Sequence, residues 1–545
     1  MSDNKKEAVL DSAHVGDIRG AFGTIARHDT GPRQGWSARL KTLLAILGPG
    51  LIVMVGDNDA GAFSTYAQAG QNYGTALLWT LALLIPVLYV NQEMVLRLGA
   101  VTGVGHARLI LERFGKFWGA FSVIDLFLLN ALTIVTEFIG ISLGLSYLGL
   151  PKAIGVLCAA VLVIAAASTG DFRRFERFAM VLVAGSLLLI PLVFMVHPPV
   201  GTVVRDFLVP HMPTDAPVSD VMLLIIGIVG TTVAPWQLFF QQSYVIDKRI
   251  TPRFIRYERI DLWLGIVLVI VGSVAIMACM AHVFAGKPEA GQFVDTGAVA
   301  ASLAQYYGRV PGMLFAIALI DASIIGAAAI SLSTAYAVGD VLALKHSLHR
   351  KPGDAKMFYA IYVALIAVAA ALVLLPNVPL GLLTNAVQTM AGVLLPSASV
   401  FLLLLCNDKQ VLGPWTNSRA TNIFTAVIVG VLVVLSIVLT AAVVFPDISG
   451  ERIVEILVVS GIIGLLIAIG YFTLRAHRMA NDELPEAEEA RPTRKEMDNW
   501  RMPPLEQLAP AQLSSPTRIW MGILRGYLVV AVLMVVIKVV QLAAS

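Results

Sequence analysis

The residues with the clearest capacity for chemistry are two aspartates in Gly48–Gly74, GPGLIVMVGDNDAGAFSTYAQAGQNYG. Asp57 and Asp59 follow a purely apolar run and are flanked by Gly56 and Gly61. A carboxylate deep in a bilayer costs roughly 2.5–3.5 kcal/mol even on lenient insertion scales, so acids placed there usually serve function. Flanking glycines allow a helix to open and to turn its free carbonyls toward a cation. The stretch therefore predicts a cation site at a broken helix.

A second interrupted apolar run covers residues 219–246 and contains the pattern IIGIVGTTVAPWQLFFQQS. Pro235 has no backbone N–H, and its ring displaces the carbonyl four residues earlier, which is that of Thr231. An ordinary proline kink in a membrane helix would produce the same local pattern. Interruptions at corresponding positions of two five-helix halves are, however, typical of inverted-repeat transporters. The two interruptions together favour a transporter.

The side chains around these interruptions offer mainly oxygen donors. On an intact helix Asp57 and Asp59 would point about 200° apart. Both can therefore face one ion only if the helix is unwound, and otherwise Asp57 acts indirectly or through water. Gln388 in a later span either binds a hard cation through its amide oxygen or only joins two helices by a hydrogen bond. An all-oxygen site suits Mg²⁺, Mn²⁺ or Ca²⁺ better than soft ions. The predicted metal site comprises Asp59, Asp57, Gln388 and the carbonyls of Gly56 and Thr231, with the small residues Ala62 and Ala234 leaving room for water.

Two further residues have open roles in proton movement or gating. Glu137 lies in the middle of an apolar segment, where it is either a proton relay or a protonated acid that a neighbour satisfies. Trp236 directly follows Pro235, where it either gates the site or simply packs beside it.

The composition defines the kind of protein that must position these residues. The chain has 545 residues, of which 57% are hydrophobic and 14% charged, and its mean hydropathy is +0.79. Soluble domains carry about 25% charged residues, so these values predict an all-α polytopic membrane protein. The predicted spans are 43–71 (broken), 75–97, 118–147, 153–168, 178–196, 219–246 (broken), 261–285, 312–340, 357–376, 380–406, 422–445, 453–474 and 519–542.

Lys and Arg concentrate at the span ends that lie on the same side as the N-terminus, which by the positive-inside rule is the cytoplasmic side. This predicts a multi-pass protein of a cell membrane, with a bacterial inner membrane as the expected location. The segments before and after the main spans are polar, and we expect both to be loosely ordered. The predicted divisions are a cytoplasmic tail at 1–42, a transporter core at 43–410 with inverted halves at about 43–196 and 219–406, two peripheral helices in 411–474, a cytoplasmic linker at 475–518 and a last helix at 519–545.

At these same residues the chain resembles the Nramp divalent-metal transporters over about residues 43–410. The resemblance rests on GPG at Gly48–Gly50, the first break, QAG at Gln68–Gly70, RLG-x-VTG at Arg97–Gly103 and the proline at 235. It implies a LeuT-type 5+5 inverted repeat with helices 1 and 6 broken and the N-terminus inside. The spans after residue 410 are additional to what the resemblance covers.

Departures from the family's motifs point to one branch of it. The family's motif Asp-Pro-Gly-Asn corresponds to DAGA at Asp59–Ala62 in this chain, and its motif Met-Pro-His corresponds to APW at Ala234–Trp236. The family's asparagine, methionine and histidine are therefore missing here. In the third span the family's aspartate is Ile134, while its glutamate is Glu137 and its tenth-span glutamine is Gln388. This pattern looks like the Nramp-related magnesium transporters, which implies a hard cation and no proton coupling.

The leading hypothesis is therefore import of Mg²⁺ or Mn²⁺ by alternating access, driven by the membrane potential. One alternative is proton-coupled Mn²⁺/Fe²⁺ symport with Glu137 as the relay. The other is a sodium-coupled carrier of organic solutes, although the two aspartates would repel a substrate carboxylate. The sequence contains no P-loop, H-E-x-x-H or G-x-S-x-G in a suitable context, which argues against an enzyme or an ATP-driven pump. The expected partners are the metal ion and the lipid bilayer, without nucleic acid or a resident cofactor, and the sequence does not predict an oligomeric state.

Overall fold

The computed structural model describes residues 9–214, 216–376, 380–444, 449–481 and 493–511, together with residues 521, 522, 524–526, 529 and 533. Apart from one short hairpin, the regular structure in this part of the chain is helical. The helices are α1 Trp36–Ile46, α2 Pro49–Val55, α3 Ala60–Tyr73, α4 Leu78–Thr102, α5 His106–Phe114, α6 Lys116–Tyr147, α7 Lys152–Ala167, α8 Phe172–Gly185, α9 Leu189–Val196, α10 Val200–Leu208, α11 Val218–Thr232, α12 Pro235–Asp247, α13 Ile255–Phe284, α14 Thr296–Tyr307, α15 Arg309–Val341, α16 Lys356–Leu374, α17 Leu380–Cys406, α18 Lys409–Leu412, α19 Arg419–Val444, α20 Gly450–Asn481 and α21 Arg494–Asn499.

Within the described residues, eight helices are long and apolar enough to cross a membrane, or nine if α1 and α2, bent by 51°, form one span. Every predicted span up to residue 474 overlaps a helix or a broken pair of helices. The predicted span at 519–542 lies almost wholly outside the described residues. Helices α10 and α14 were not predicted; they lie in the loops between predicted spans. The fold is the expected all-α membrane bundle.

Both predicted helix breaks are present. Between α2 and α3 the residues from Gly56 to Asp59 leave the helix, and Asp59 caps the new helix by accepting the N–H of Ala62 at 2.8 Å. An aspartate in this position satisfies a donor that the helix itself cannot satisfy. Between α11 and α12, Val233 and Ala234 are non-helical, and α12 begins at the proline. Proline at the first position of a helix requires no N–H, so it ends one helix and begins the next.

The first broken helix packs tightly on α13. A Cβ on Gly50 would lie 2.6 Å from the backbone nitrogen of Leu262, and one on Gly265 would lie 2.6 Å from the carbonyl oxygen of Gly50. Only residues without a side chain allow two helix backbones to approach so closely. The carboxylate of Asp261 on α13 accepts the N–H groups of Gly48 and Gly50 at the start of α2, at 3.1 and 2.6 Å. The N-terminus of α2, which carries partial positive charge, therefore lies against the carboxylate of Asp261.

The segment that precedes the first span is ordered over residues 9–31, contrary to the expectation of a loose tail. It forms an antiparallel hairpin of β1 (Ile18–Gly20) and β2 (Gly23–Ile25), in which Ile18 lies opposite Ile25. Backbone carbonyls that are removed from water need donors from the protein, and guanidinium groups from separate elements supply them to this segment. The donors to its backbone or to Asp11 are Arg173 and Arg177 of α8, Arg249 and Arg253 after α12, and Arg350 after α15.

The polar linker is also not uniformly loose. Helix α20 continues to Asn481, and residues 493–511 pack against the core. The indole N–H of Trp415 donates to the carbonyl of Met497 at 2.9 Å, and the N–H of Ala511 donates to the carbonyl of Arg113 at 2.8 Å. Met502 is buried. A few apolar residues suffice to dock a segment whose average composition is polar.

Asp11 is the ionic anchor of the N-terminal segment, and its removal should loosen the hairpin. Its carboxylate accepts Arg350 at 2.5–3.0 Å and the N–H of His346 at 2.9 Å. Burial alone would raise the pKa of Asp11, but hydrogen bonds from Arg350 and the Ala13 N–H lower it to about 2. Because the folded pKa lies below the unfolded value near 3.9, this stabilisation is present above pH 4 and is lost as the pH falls toward 2.

We expect Asp11→Asn to lower the hydrogen-exchange protection of amides 18–25 roughly tenfold at pH 7, as for the loss of a hydrogen bond between ionised groups. Asp29→Asn is the control, because Asp29 pairs with Arg33 at the surface, where an ion pair contributes little. Equal protection in the two variants would contradict an anchoring role.

Candidate functional site

The two helix breaks face each other inside the bundle. The side chain of Gln237 on α12 donates to the carboxylate of Asp57 in the first break. The Trp236 ring lies beside Gly56, where an added Cβ would be 3.5 Å from the indole. Asp57 is 0% exposed and Asp59 is 3% exposed. The residues of both breaks are therefore shielded from solvent.

Four half-helix ends define the electrostatics of this region. Helices α2 and α11 end at the breaks, so their last carbonyls carry partial negative charge. Helices α3 and α12 begin there, so their first N–H groups carry partial positive charge. Asp59 lies at the start of α3, and Asp57 contacts the first turn of α12 through Gln237. The arrangement places anionic side chains at positive helix ends and leaves carbonyls free for a cation, as in discontinuous membrane helices.

Asp59 and Glu137 form a carboxyl pair. Their side chains lie next to each other, and Glu137 Oε2 accepts the N–H of Ala60 at 3.1 Å. Both pack on the bare backbone of Gly326 in α15, where a Cβ would lie 2.9 Å from the Glu137 carboxyl carbon and 3.1 Å from Asp59 Cβ. Two carboxylates in contact repel each other unless a proton or a cation lies between them. The sequence singled out both acids but did not predict that they touch.

The amide of Gln388 lies against the start of α3. A side chain on Gly61 would overlap it, so the glycine is required for this approach. Several buried polar atoms near the breaks have no hydrogen-bond partner, which normally costs about 1–3 kcal/mol for each group. Unpartnered atoms beside the breaks indicate a position for a ligand or for water. They are Asp57 Oδ2, Glu137 Oε1, Thr231 Oγ1, Trp236 Nε1 and Gln388 Nε2.

The other predicted residues lie at the breaks without contributing a polar side chain. Ala62 is buried in the first turn of α3, and Ala234 is the last residue before α12. Gly56 ends α2 and leaves its carbonyl at the first break. Asn58, between the two aspartates, is hydrogen-bonded to α13. Its amide nitrogen donates to the carbonyl of Val269 at 3.0 Å, and its amide oxygen accepts the Ser273 hydroxyl at 2.9 Å.

Sequence reasoning missed two residues that shape the site, Gln237 as a contact of Asp57 and Gly326 as the surface for the carboxyl pair. The only signals were a polar residue close after Pro235 and a run of small residues, IIGAAAIS, in α15.

Among the described residues, no group of three or more His, Cys, Asp or Glu side chains converges in a way that could hold a metal ion. A cation at the breaks would therefore need neutral oxygens or retained water besides the acids. Hard cations accept such mixed ligands. The bundle, the two opposed helix breaks and the buried acids together indicate a membrane transporter.

Comparison with known proteins identifies the family. The model of the Nramp family, "Natural resistance-associated macrophage protein-like", matches residues 50–442. The chain belongs to the Nramp family, so it is a membrane transporter and not an enzyme. This confirms the resemblance seen in its motifs.

Curated relatives and solved structures agree with this assignment. The divalent metal cation transporter MntH of Lacticaseibacillus casei is 29% identical over 425 residues, covering 74% of this chain and 90% of the relative. The MntH of Ralstonia nicotianae is 29% identical over 408 residues, covering 70% and 87%. A crystal structure of the Eremococcus coleocola manganese transporter, in complex with an aromatic bis-isothiourea substituted compound, superposes with a TM-score of 0.63. It is 20% identical, and the match covers 83% of this chain and 98% of that one. The likeness confirms the LeuT-type fold with its broken helices.

Adding one methyl group at residue 326 should disturb the carboxyl pair. Gly326→Ala would press on Glu137 and Asp59 at 2.9–3.1 Å. Overpacking of this kind costs about 1–3 kcal/mol, so we expect roughly a tenfold rise in the apparent KM for Mn²⁺ uptake into proteoliposomes. Gly430→Ala in α19 is the control, because a Cβ there meets no atom within 4 Å. Equal KM values for the two variants would show that the pair does not contribute to cation binding.

Proposed function

We propose that this transporter, which by its family carries divalent metal cations, moves Mg²⁺ or Mn²⁺ in a hydrated or partly hydrated form. The observation that carries the proposal is that three buried oxygens at or beside the two breaks, Asp57 Oδ2, Glu137 Oε1 and Thr231 Oγ1, have no hydrogen-bond partner. The Met54 side chain, the nearest sulfur in the sequence of the first break, packs against Gly265 on α13. Oxygen ligands favour hard cations and give soft ions no advantage. The small Ala62 and Ala234 side chains would leave space for retained water.

In this proposal Asp59 supplies the main charge. The carbonyls of Gly56 and Thr231, at the negative ends of α2 and α11, and the amide of Gln388 complete the site. Asp57 contributes its partnerless oxygen Oδ2. Trp236, buried against Gly56, would act as a gate. Mg²⁺ is commonly held by one or two carboxylates and keeps several waters, which agrees with this small number of acids.

The membrane potential would drive uptake. A divalent ion gains about 4.6 kcal/mol per 100 mV, twice the value for a single charge. We propose that the N-terminus lies in the cytoplasm and that the protein works in a bacterial cell membrane. The core at 43–410 would alternate access by movement of one repeat against the other, with the helices of 411–474 at its periphery.

Proton-coupled symport is the second candidate, and the contact between Asp59 and Glu137 favours it. A pair of adjacent carboxyl groups can hold one proton, which an arriving cation would displace. Coupling would then require that the released proton crosses with the metal. The two candidates differ in one measurable quantity, the pH inside the vesicle during uptake.

Removing the main charge should abolish transport. We expect Asp59→Ala to insert and fold normally but to lose Mg²⁺ and Mn²⁺ uptake by about two orders of magnitude or more, as for a group whose loss leaves buried partners unsatisfied. Uptake into proteoliposomes, with size-exclusion chromatography as the test of folding, gives the answer. Near-normal transport would remove Asp59 from the site.

Ion preference and coupling can be tested in the same vesicles. With an imposed inside-negative potential, we expect saturable uptake of Mg²⁺ and Mn²⁺, weak uptake of Cd²⁺ and no acidification of the lumen. A strong preference for Cd²⁺ would contradict a site built from oxygen ligands. Acidification that accompanies metal uptake and disappears in Glu137→Gln would establish the proton-coupled alternative.

A further inference from the structure

Gln237 connects the two helix breaks directly. It lies in the first turn of α12, two residues after Pro235, and is fully buried. Its side-chain nitrogen donates to Asp57 Oδ1 in the first break and to the carbonyl of Thr232 at the end of α11, the latter at 3.3 Å. Its side-chain oxygen accepts the amide of Gln92 on α4 at 2.8 Å. One side chain thus contacts both breaks and a third helix.

The chemistry of these partners fixes the orientation of the Gln237 amide. The Asp57 carboxylate and the Thr232 carbonyl can only accept, so the Gln237 nitrogen must face them. The Gln237 oxygen must then face Gln92, whose nitrogen must donate. A reversed amide would place oxygen against oxygen at two contacts in a buried region, where electrostatic repulsion is strong. Only one orientation of the Gln237 amide therefore satisfies all of its hydrogen-bond partners.

This contact determines how Asp57 is presented. Gln237 occupies Oδ1, while Oδ2 stays buried without a partner. Asp57 lies in the turn between α2 and α3, where its N–H donates to the carbonyl of Met54 at 3.2 Å. This turn positions its backbone but does not select the rotamer of its side chain. The amide on α12 provides that constraint.

We infer that Gln237 is a positioning residue, which directs the free oxygen of Asp57 toward the transported cation and couples the first break to the second. This inference rests on the proposed function, since it requires a cation at the breaks. Gln237 does not touch the cation. It acts on affinity through Asp57, and movement of α12 during alternating access would carry Asp57 with it.

The same helix contains a matched control. Gln241 lies one turn after Gln237 and is equally buried, but its side chain forms no hydrogen bond to either break. A general need for a polar or bulky residue on this face of α12 would apply to both glutamines. A positioning role applies to Gln237 alone.

The experiment measures Mg²⁺ and Mn²⁺ uptake by the full chain in proteoliposomes, with KM and the maximal rate determined separately. We expect Gln237→Leu to raise the apparent KM about tenfold, as for a lost hydrogen bond to a charged group, while the maximal rate changes less than about threefold. Gln241→Leu should keep the wild-type KM. In Asp57→Asn, which weakens binding itself, adding Gln237→Leu should raise KM less than about twofold further, because the two residues act through one contact.

Three results would overturn the inference. A wild-type KM in Gln237→Leu beside a raised KM in Asp57→Asn would leave the proposed function intact and remove Gln237 from it. Equal KM increases in Gln237→Leu and Gln241→Leu would show a packing effect. Fully additive increases in the double variant would show that Gln237 does not act through Asp57.

Failure of the proposed function has a different signature, namely wild-type uptake in both Asp57→Asn and Asp59→Ala. If Gln237→Leu does not fold, Gln92→Leu replaces it, because it removes only the donor that orients the Gln237 amide. The expected KM increase is then smaller, about threefold, and an unchanged KM in Gln92→Leu would overturn the inference.

Discussion

The structure depends on keeping carboxylates inside a membrane protein where two helices stop and restart. An intact helix uses its carbonyls and N–H groups for itself and offers nothing to a buried charge. At a break, the first N–H groups of one half-helix stabilise an anion, and the last carbonyls of the other attract a cation. Asp59 uses the first effect when it caps α3. Both effects operate in the same region because the two breaks face each other.

Three of the four residues in the first break are held by different neighbours. Asp57 is held by α12, Asn58 by α13, and Asp59 by its own helix and by Glu137 on α6. An open segment of four residues is thus fixed from several directions without regular structure of its own. This constraint has a functional consequence, since a shift of any one of these helices changes the presentation of an acid to the site.

The polar segments outside the core follow a related principle at the surface. The order of the helices brings the starts of α2, α8 and α13 and the end of α12 to one face of the bundle. The N-terminal segment 9–31 crosses this face, and residues 493–511 dock near the end of α5 on the same side. Their irregular backbones are satisfied largely by arginine side chains. Arginine clusters that indicate membrane orientation therefore also serve as donors for ordered peptide segments.

Residue type and spacing were sufficient to predict the all-α bundle, the two breaks and the acids within them. These features depend on local properties, namely hydropathy over about 20 residues, the lost N–H of proline and the cost of a charge in lipid. The family motifs added the expectation that Gln388, far along the chain, belongs to the same site, which periodicity alone does not provide.

Only the tertiary structure decided which groups meet. The pairing of Asp59 with Glu137, the contact of Gln237 with Asp57 and the approach of Gln388 to Gly61 join residues more than 70 positions apart. Each depends on the packing and rotation of whole helices, which no local pattern specifies. For the same reason the N-terminal hairpin was missed, because its order comes from donors on a distant helix and distant loops and not from its own composition. The sequence determined where a charge had to be stabilised, and packing determined which partners stabilise it.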